Sequence, residues 1–138
     1  MHIRSGTRRP IVRLAFLAAI GLISSVGTLW AQEWYDDGWS RRQEITISST
    51  LADSDLTNFP LLVSFGGGNP LYGTAQGDGD DILFTDADGV TKIPHEIEVY
   101  QSSGTFYAWV QVPLVSSTTD TTIYMYYGNA SAGDQQNA

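Results

Sequence analysis

Seven carboxylates within a short stretch of this chain have the residue types and spacing that could do chemistry. Asp78, Asp80, Asp81, Asp86 and Asp88 crowd a loop and a turn, and Glu96 and Glu98 follow on a strand-like run. Calcium takes roughly six to eight oxygen ligands, and five neighbouring aspartates could supply part of such a set. The two glutamates, two residues apart on a strand, share a face about 6.5–7 Å apart at the backbone. That overlaps the roughly 6.5–9.5 Å carboxyl separation of an inverting glycosidase. Each possibility has a plainer counterpart. The segment Asp86-Ala87-Asp88-Gly89 lacks the full aspartate run and the bidentate glutamate of an EF-hand loop. Aspartates also cap turn N–H groups, so a hairpin turn with a solvated loop explains them without metal. Any alternating strand with two glutamates gives the glycosidase spacing. A solvated pair, or a partner for Arg41 or Arg42, is the favoured reading.

Other catalytic constellations are missing from the sequence. After residue 31 His95 is the only histidine, placed between Ile93 and Ile97 in the apolar phase of its run. A hydrogen-bonded core histidine fits that position better than a metal ligand. No serine or threonine has a nucleophile motif around it. No catalytic residue and no bound cofactor are expected, with calcium the one open ion.

Aromatic residues make the stronger case for binding. Trp39, Tyr107, Trp109, Tyr124 and Tyr126, with Glu96, form the candidate ligand-binding set. Flat rings stack on the C–H faces of sugars, and neighbouring polar groups bond the hydroxyls; ligand sites are typically concave with a few such groups. The competing explanation is that aromatics favour strands and cores. Tyr107, Trp109, Tyr124 and Tyr126 fall opposite the aliphatic residues of their own runs, so they are either a second core or an exposed platform.

The elements that must carry these residues alternate with period two and are separated by Gly, Pro, Asn, Asp and Ser. Strands are expected over residues 41–48, 59–65, 81–85, 92–100, 105–112 and 121–127. In the fourth, Ile93, His95, Ile97 and Val99 share one face, and Lys92, Pro94, Glu96, Glu98 and Tyr100 the other. The Asp-Gly turn at 88–89 should pair the third and fourth as a hairpin. The loop opened by Gly66-Gly67-Gly68 is long, and such loops often bind ligands. The expected fold is all-β, an antiparallel, jelly-roll-like β-sandwich over residues 32–138.

The start of the chain has another purpose. Arg4, Arg8, Arg9 and Arg13 precede an uncharged, mostly apolar run from Leu14 to Val26. This has the form of a secretory signal peptide over residues 1–31, and it is shorter than the roughly 20 residues that span a bilayer. Thr7-Arg8-Arg9 also resembles a twin-arginine export signal. Either route makes the protein secreted or extracytoplasmic, with membrane contact only through export. No cysteine is present, so neither disulfides nor thiolate metal sites are available. After residue 31 only Arg41, Arg42 and Lys92 stand against all fifteen acidic residues. Such a surface repels phosphate backbones, which excludes nucleic acid as a partner. A glycan or other cell-surface ligand is compatible with it.

The ordered motifs have a family likeness. Trp39-Ser40-Arg41-Arg42, Asn58-Phe59-Pro60, Asp78-Gly79-Asp80-Asp81-Ile82, His95-Glu96-Ile97-Glu98, Ala108 to Pro113 and Tyr126-Tyr127-Gly128-Asn129 together resemble the bacterial and archaeal domain of unknown function 2341, over about residues 34–132. The resemblance implies an extracytoplasmic, non-catalytic domain, often placed ahead of a concanavalin-like lectin or glucanase domain or attached to a transport protein. It leaves open both a downstream domain beyond Ala138, in which case the chain is a fragment or a truncated gene product, and a domain that stands alone. Glycan or surface-ligand binding is the first functional expectation, a structural spacer or adhesion module the second, and a small glycoside hydrolase using Glu96 and Glu98 the third.

Overall fold

The computed structural model describes residues 33–137; the signal segment expected over residues 1–31 lies outside them. The described chain forms seven strands: β1 (Arg41–Ile47), β2 (Leu56–Gly66), β3 (Leu83–Thr85), β4 (Lys92–Ile93), β5 (His95–Gln101), β6 (Thr105–Val115) and β7 (Thr121–Tyr127). They assemble into a four-stranded sheet of order β1-β7-β3-β4 and a three-stranded sheet of order β2-β6-β5. All pairings are antiparallel. β1 pairs with β7 and β2 with β6. This nesting of outer strands on one another is the jelly-roll arrangement, here with seven strands.

Alternation explains which side faces in. Phe106, Ala108, Val110 and Val112 of β6 are buried against Phe84, Ile93, Ile123 and Met125 of the other sheet's strands. The long loop after β2 contributes to this core. Leu71 is fully buried, and the Tyr72 ring stacks on Tyr100 at 6.2 Å while its hydroxyl donates to the Phe65 carbonyl. The segment expected to be a binding loop is therefore folded onto the end of the core.

Two local features correct the expected strand layout. The run expected as one strand over 92–100 is two. Lys92 and Ile93 pair with Thr85 and Phe84 as the hairpin requires, but from His95 the chain belongs to the opposite sheet. Pro94 stands at the crossing and cannot donate to either ladder; its carbonyl accepts from Gln111 N. Strands that switch sheets in this way make the corners of sandwiches. Second, β5 is bulged. Ile97 faces Ala108 and Val99 faces Tyr107, which leaves Glu98 without a partner on β6. The extra residue reverses the alternation after it. Val99 joins the Tyr107 face, and Tyr100, expected beside the glutamates, packs against the core.

A second core lies on the far side of the four-stranded sheet. Trp39, Leu83, Tyr124 and Tyr126 are buried there with Tyr35 and Ala132 packed against them. The segment before β1 covers this face. Trp34 meets Tyr126 edge-on at 5.2 Å, and Tyr35 meets Trp39 edge-on at 5.1 Å. The Arg42 guanidinium lies 4.4 Å from the Tyr124 ring centroid and 5.1 Å from that of Trp34. Such cation–π contacts favour arginine on electron-rich rings.

Candidate functional site

The outer face of the three-stranded sheet is the candidate site. Direct cross-strand partners point to the same face of a sheet, so Leu62, Trp109 and Glu96 form one row across β2, β6 and β5. Pro60 and Gln111 form the next. Trp109 is 43% exposed, and Tyr107 and Leu62 are similarly open. Beside Trp109 runs a groove of about 370 Å³, lined by Asn58, Pro60, Pro94, His95, Glu96, Trp109, Val110 and Gln111. Trp109 supplies a flat ring, while Asn58, Glu96 and Gln111 supply polar groups.

Three details fix the groove's geometry. Trp109 Nε1 donates to Glu98 Oε2 at 3.0 Å, which holds the indole at the bulge. Asn58 has φ of 50°, the only non-glycine residue described with positive φ. Strained backbone of this kind costs of order 1–3 kcal/mol and clusters at functional sites. The His95 side chain is buried, with Nε2 at 3.1 Å from the Ile82 carbonyl oxygen and its ring edge-on to Phe84. It is the hydrogen-bonded core histidine that its phase indicates.

Burial pushes the His95 pKa down from the ordinary 6.5, against the pull of the Ile93 and Ile82 carbonyls. The unfolded chain therefore takes up a proton near pH 6.5 that the folded protein still refuses. Stability from this group is fully present above that pH and is lost as pH falls below it. Chemical denaturation from pH 7 to about pH 5 is expected to show that decline in the wild type and a flatter profile in His95→Gln.

The other half of the expected ligand set is elsewhere. Trp39, Tyr124 and Tyr126 belong to the second core and offer no open stacking face. Trp39 Nε1 donates to the Asp81 carbonyl, and the Tyr126 hydroxyl to the Gly89 carbonyl. Of the six residues, Tyr107, Trp109 and Glu96 share the open sheet face.

The five aspartates do not converge either. Among the described residues no group of three or more His, Cys, Asp or Glu side chains is placed to hold a metal ion. Asp86 and Asp88 sit in the hairpin turn, which Gly89 closes at φ of 83°. Asp86 accepts from Ala87 N, and Asp88 from Val90 N, Thr91 N and the Thr91 hydroxyl. Asp78 accepts from Asp80 N. Asp80 is raised above the ordinary carboxylate value, by desolvation and by Asp78, Asp134 and Asp81 nearby. Asp81 differs from the rest: it is fully buried, and its carboxylate accepts from the N–H groups of Gln76, Gly128 and Asn129. Acids elsewhere in the chain cap backbone N–H groups too. Asp55 takes the Ser117 N–H and hydroxyl, and Asp120 those of Ser49, which lowers both pKa values.

Asp81, Glu96, Glu98 and Trp109 all lie in one stretch of family resemblance. Residues 78–138 match the family described as Domain of unknown function (DUF2341). The DUF2341 match begins at the loop before β3 and includes β3 to β7. The expected resemblance began near residue 34; β1, β2 and Trp39 lie outside the matched stretch. No curated protein and no solved structure matches the chain.

Sequence reasoning missed Asn58, Pro60, Pro94 and Gln111 as groove residues. Their signals were present: two prolines in strand runs mark edges and crossings, and Gln111 is in phase with Trp109.

Proposed function

We propose that this β-sandwich domain is an extracytoplasmic, non-catalytic module that binds a glycan along the outer face of its three-stranded sheet. The observation that carries the reading is Trp109: a half-open indole, fixed by Glu98, at the edge of a groove with Asn58, Glu96 and Gln111 available to sugar hydroxyls. Tryptophan and tyrosine dominate binding energies where their rings are rigid and accessible. Glycan-array screening of the intact chain tests the proposal. Trp109→Ala is expected to weaken glycan binding by about tenfold or more, equivalent to about 1.4 kcal/mol. Its thermal stability should move little, because the ring is outside both cores. A folded wild type that binds no glycan sinks the proposal.

The run of Leu62, Tyr107 and Trp109 across the same face favours a second reading, a spacer that packs against a neighbouring domain. Open apolar patches commonly mark such contacts. The two readings separate at Leu62, which stands in the Trp109 row but does not line the groove. Leu62→Glu should spare glycan binding in the first and free the neighbouring domain, read by limited proteolysis, in the second.

A further inference from the structure

We infer that the groove selects glycans carrying free, protonated amino groups. This rests on the reading of the groove as a glycan site and adds the class of sugar. The three strands of this sheet contain no lysine, arginine or aspartate. Glu96 and Glu98 are their only carboxylates, and both stand at Trp109. Glu96 is its direct cross-strand partner, and Glu98 accepts from its Nε1. Two acids placed for solubility alone had every outward position of three strands to occupy.

The chemistry at that point suits a cation. An indole face attracts ammonium through its quadrupole. The hydrogen bond to Glu98 adds negative charge at the ring's edge. Glu96 lines the groove, and its carboxylate has no hydrogen-bond partner among the described residues. Among the described residues no cation is paired with it. Arg41, Arg42 and Lys92 belong to the other sheet's strands, where Arg42 is held against Trp34 and Tyr124 and Lys92 donates to Gln135. An anionic sugar entering the groove would meet the Glu96 carboxylate with no described cation to offset it, whereas an amino sugar would stack its ring face on Trp109 and set its ammonium against Glu96. The acidic balance of the chain as a whole adds the same preference at longer range.

Calorimetric titration of the intact chain with glucosamine oligomer, N-acetylglucosamine oligomer and polylysine tests this, at about pH 6, where amines of this class are protonated. The expected result is binding of glucosamine oligomer about tenfold tighter than the N-acetylated one. Glu96→Gln should cancel the difference, and Glu98→Gln, which keeps an acceptor for Trp109, should reduce it. Trp109→Ala should weaken the binding of both oligomers by about tenfold or more. Equal or tighter binding of the N-acetylated oligomer overturns the amine preference and leaves the glycan site standing. Binding of neither oligomer by the folded chain overturns both. Amine preference that persists in Glu96→Gln overturns the role given to that residue. Polylysine binding as tightly as glucosamine oligomer, with the same dependence on Glu96, replaces the sugar with a basic peptide.

Discussion

Asp81→Ala is expected to destabilise the domain by about 3–4 kcal/mol, with three backbone donors losing a charged acceptor at once. Hydrogen bonds to charged groups contribute about 1.5–3 kcal/mol each, and water reaching the half-buried donors returns part of the loss. The carboxylate joins segments far apart in sequence. Oδ1 takes Gln76 N at 2.9 Å, while Oδ2 takes Gly128 N at 2.7 Å and Asn129 N at 2.9 Å. Gln76 tightens the same junction by donating its side-chain amide to the Asn129 and Ala132 carbonyls. Asp81's own carbonyl receives Trp39 Nε1 at 2.7 Å. The loop before β3, the chain after β7 and the second core thus meet at one residue. At about 4–8 °C per kcal/mol for a domain of this size, melting should fall by about 15–25 °C. Asp81→Asn should lose somewhat less, since one amide oxygen remains while the NH₂ group opposes a backbone donor. Urea titration followed by circular dichroism measures both, and a loss below about 1 kcal/mol for the alanine variant contradicts this role.

Most strand positions were legible because most of this fold obeys period two. β1, β6 and β7 begin where their runs begin, and the face assignment of β6 is correct at every residue from Phe106 to Val112. What sequence concealed comes from exceptions to the period. The Glu98 bulge and the Pro94 crossing leave the letters of 92–100 alternating while the backbone does not. The aspartates concealed their differences because composition cannot rank identical residues; burial does. One local signal separates Asp81: it directly precedes Ile82, Leu83, Phe84 and Thr85, all fully buried, whereas Asp78, Asp86 and Asp88 border glycines or turn residues. The candidate ligand set divided for a related reason. Tyr107 and Trp109 on β6, and Tyr124 and Tyr126 on β7, oppose the aliphatics of their own strands. Whether the aromatic face stays open depends on what covers it. Trp34, Tyr35 and Trp39 cover β7, and no described segment covers Trp109.

That cover makes Tyr126 the second large energetic target. Tyr126→Ala should cost about 4 kcal/mol, within the range for deleting a buried aromatic. The ring is fully buried on the outer side of β7, touching Trp34 edge-on and lying 6.0 Å from Tyr35. Its hydroxyl donates to the Gly89 carbonyl at 2.8 Å and accepts from Arg42 Nη1 at 3.2 Å. Arg42 Nη1 also donates to the Glu33 carbonyl, so the ring, the arginine and the segment before β1 form one unit. Tyr126→Phe separates the contributions, because it keeps the ring and removes the hydroxyl. It should cost about 1–2 kcal/mol for the lost bond and the unpaired Gly89 carbonyl. If the second core is a unit, Tyr126→Ala should also release Trp34 and Tyr35, read as a red shift in tryptophan emission and faster proteolysis before β1, while Tyr126→Phe leaves both unchanged. Glycan binding at Trp109, on the opposite sheet, should survive in the phenylalanine variant. A Tyr126→Ala protein as stable as wild type, with unshifted emission, would return this face to the surface and restore Tyr124 and Tyr126 as candidate ligand contacts.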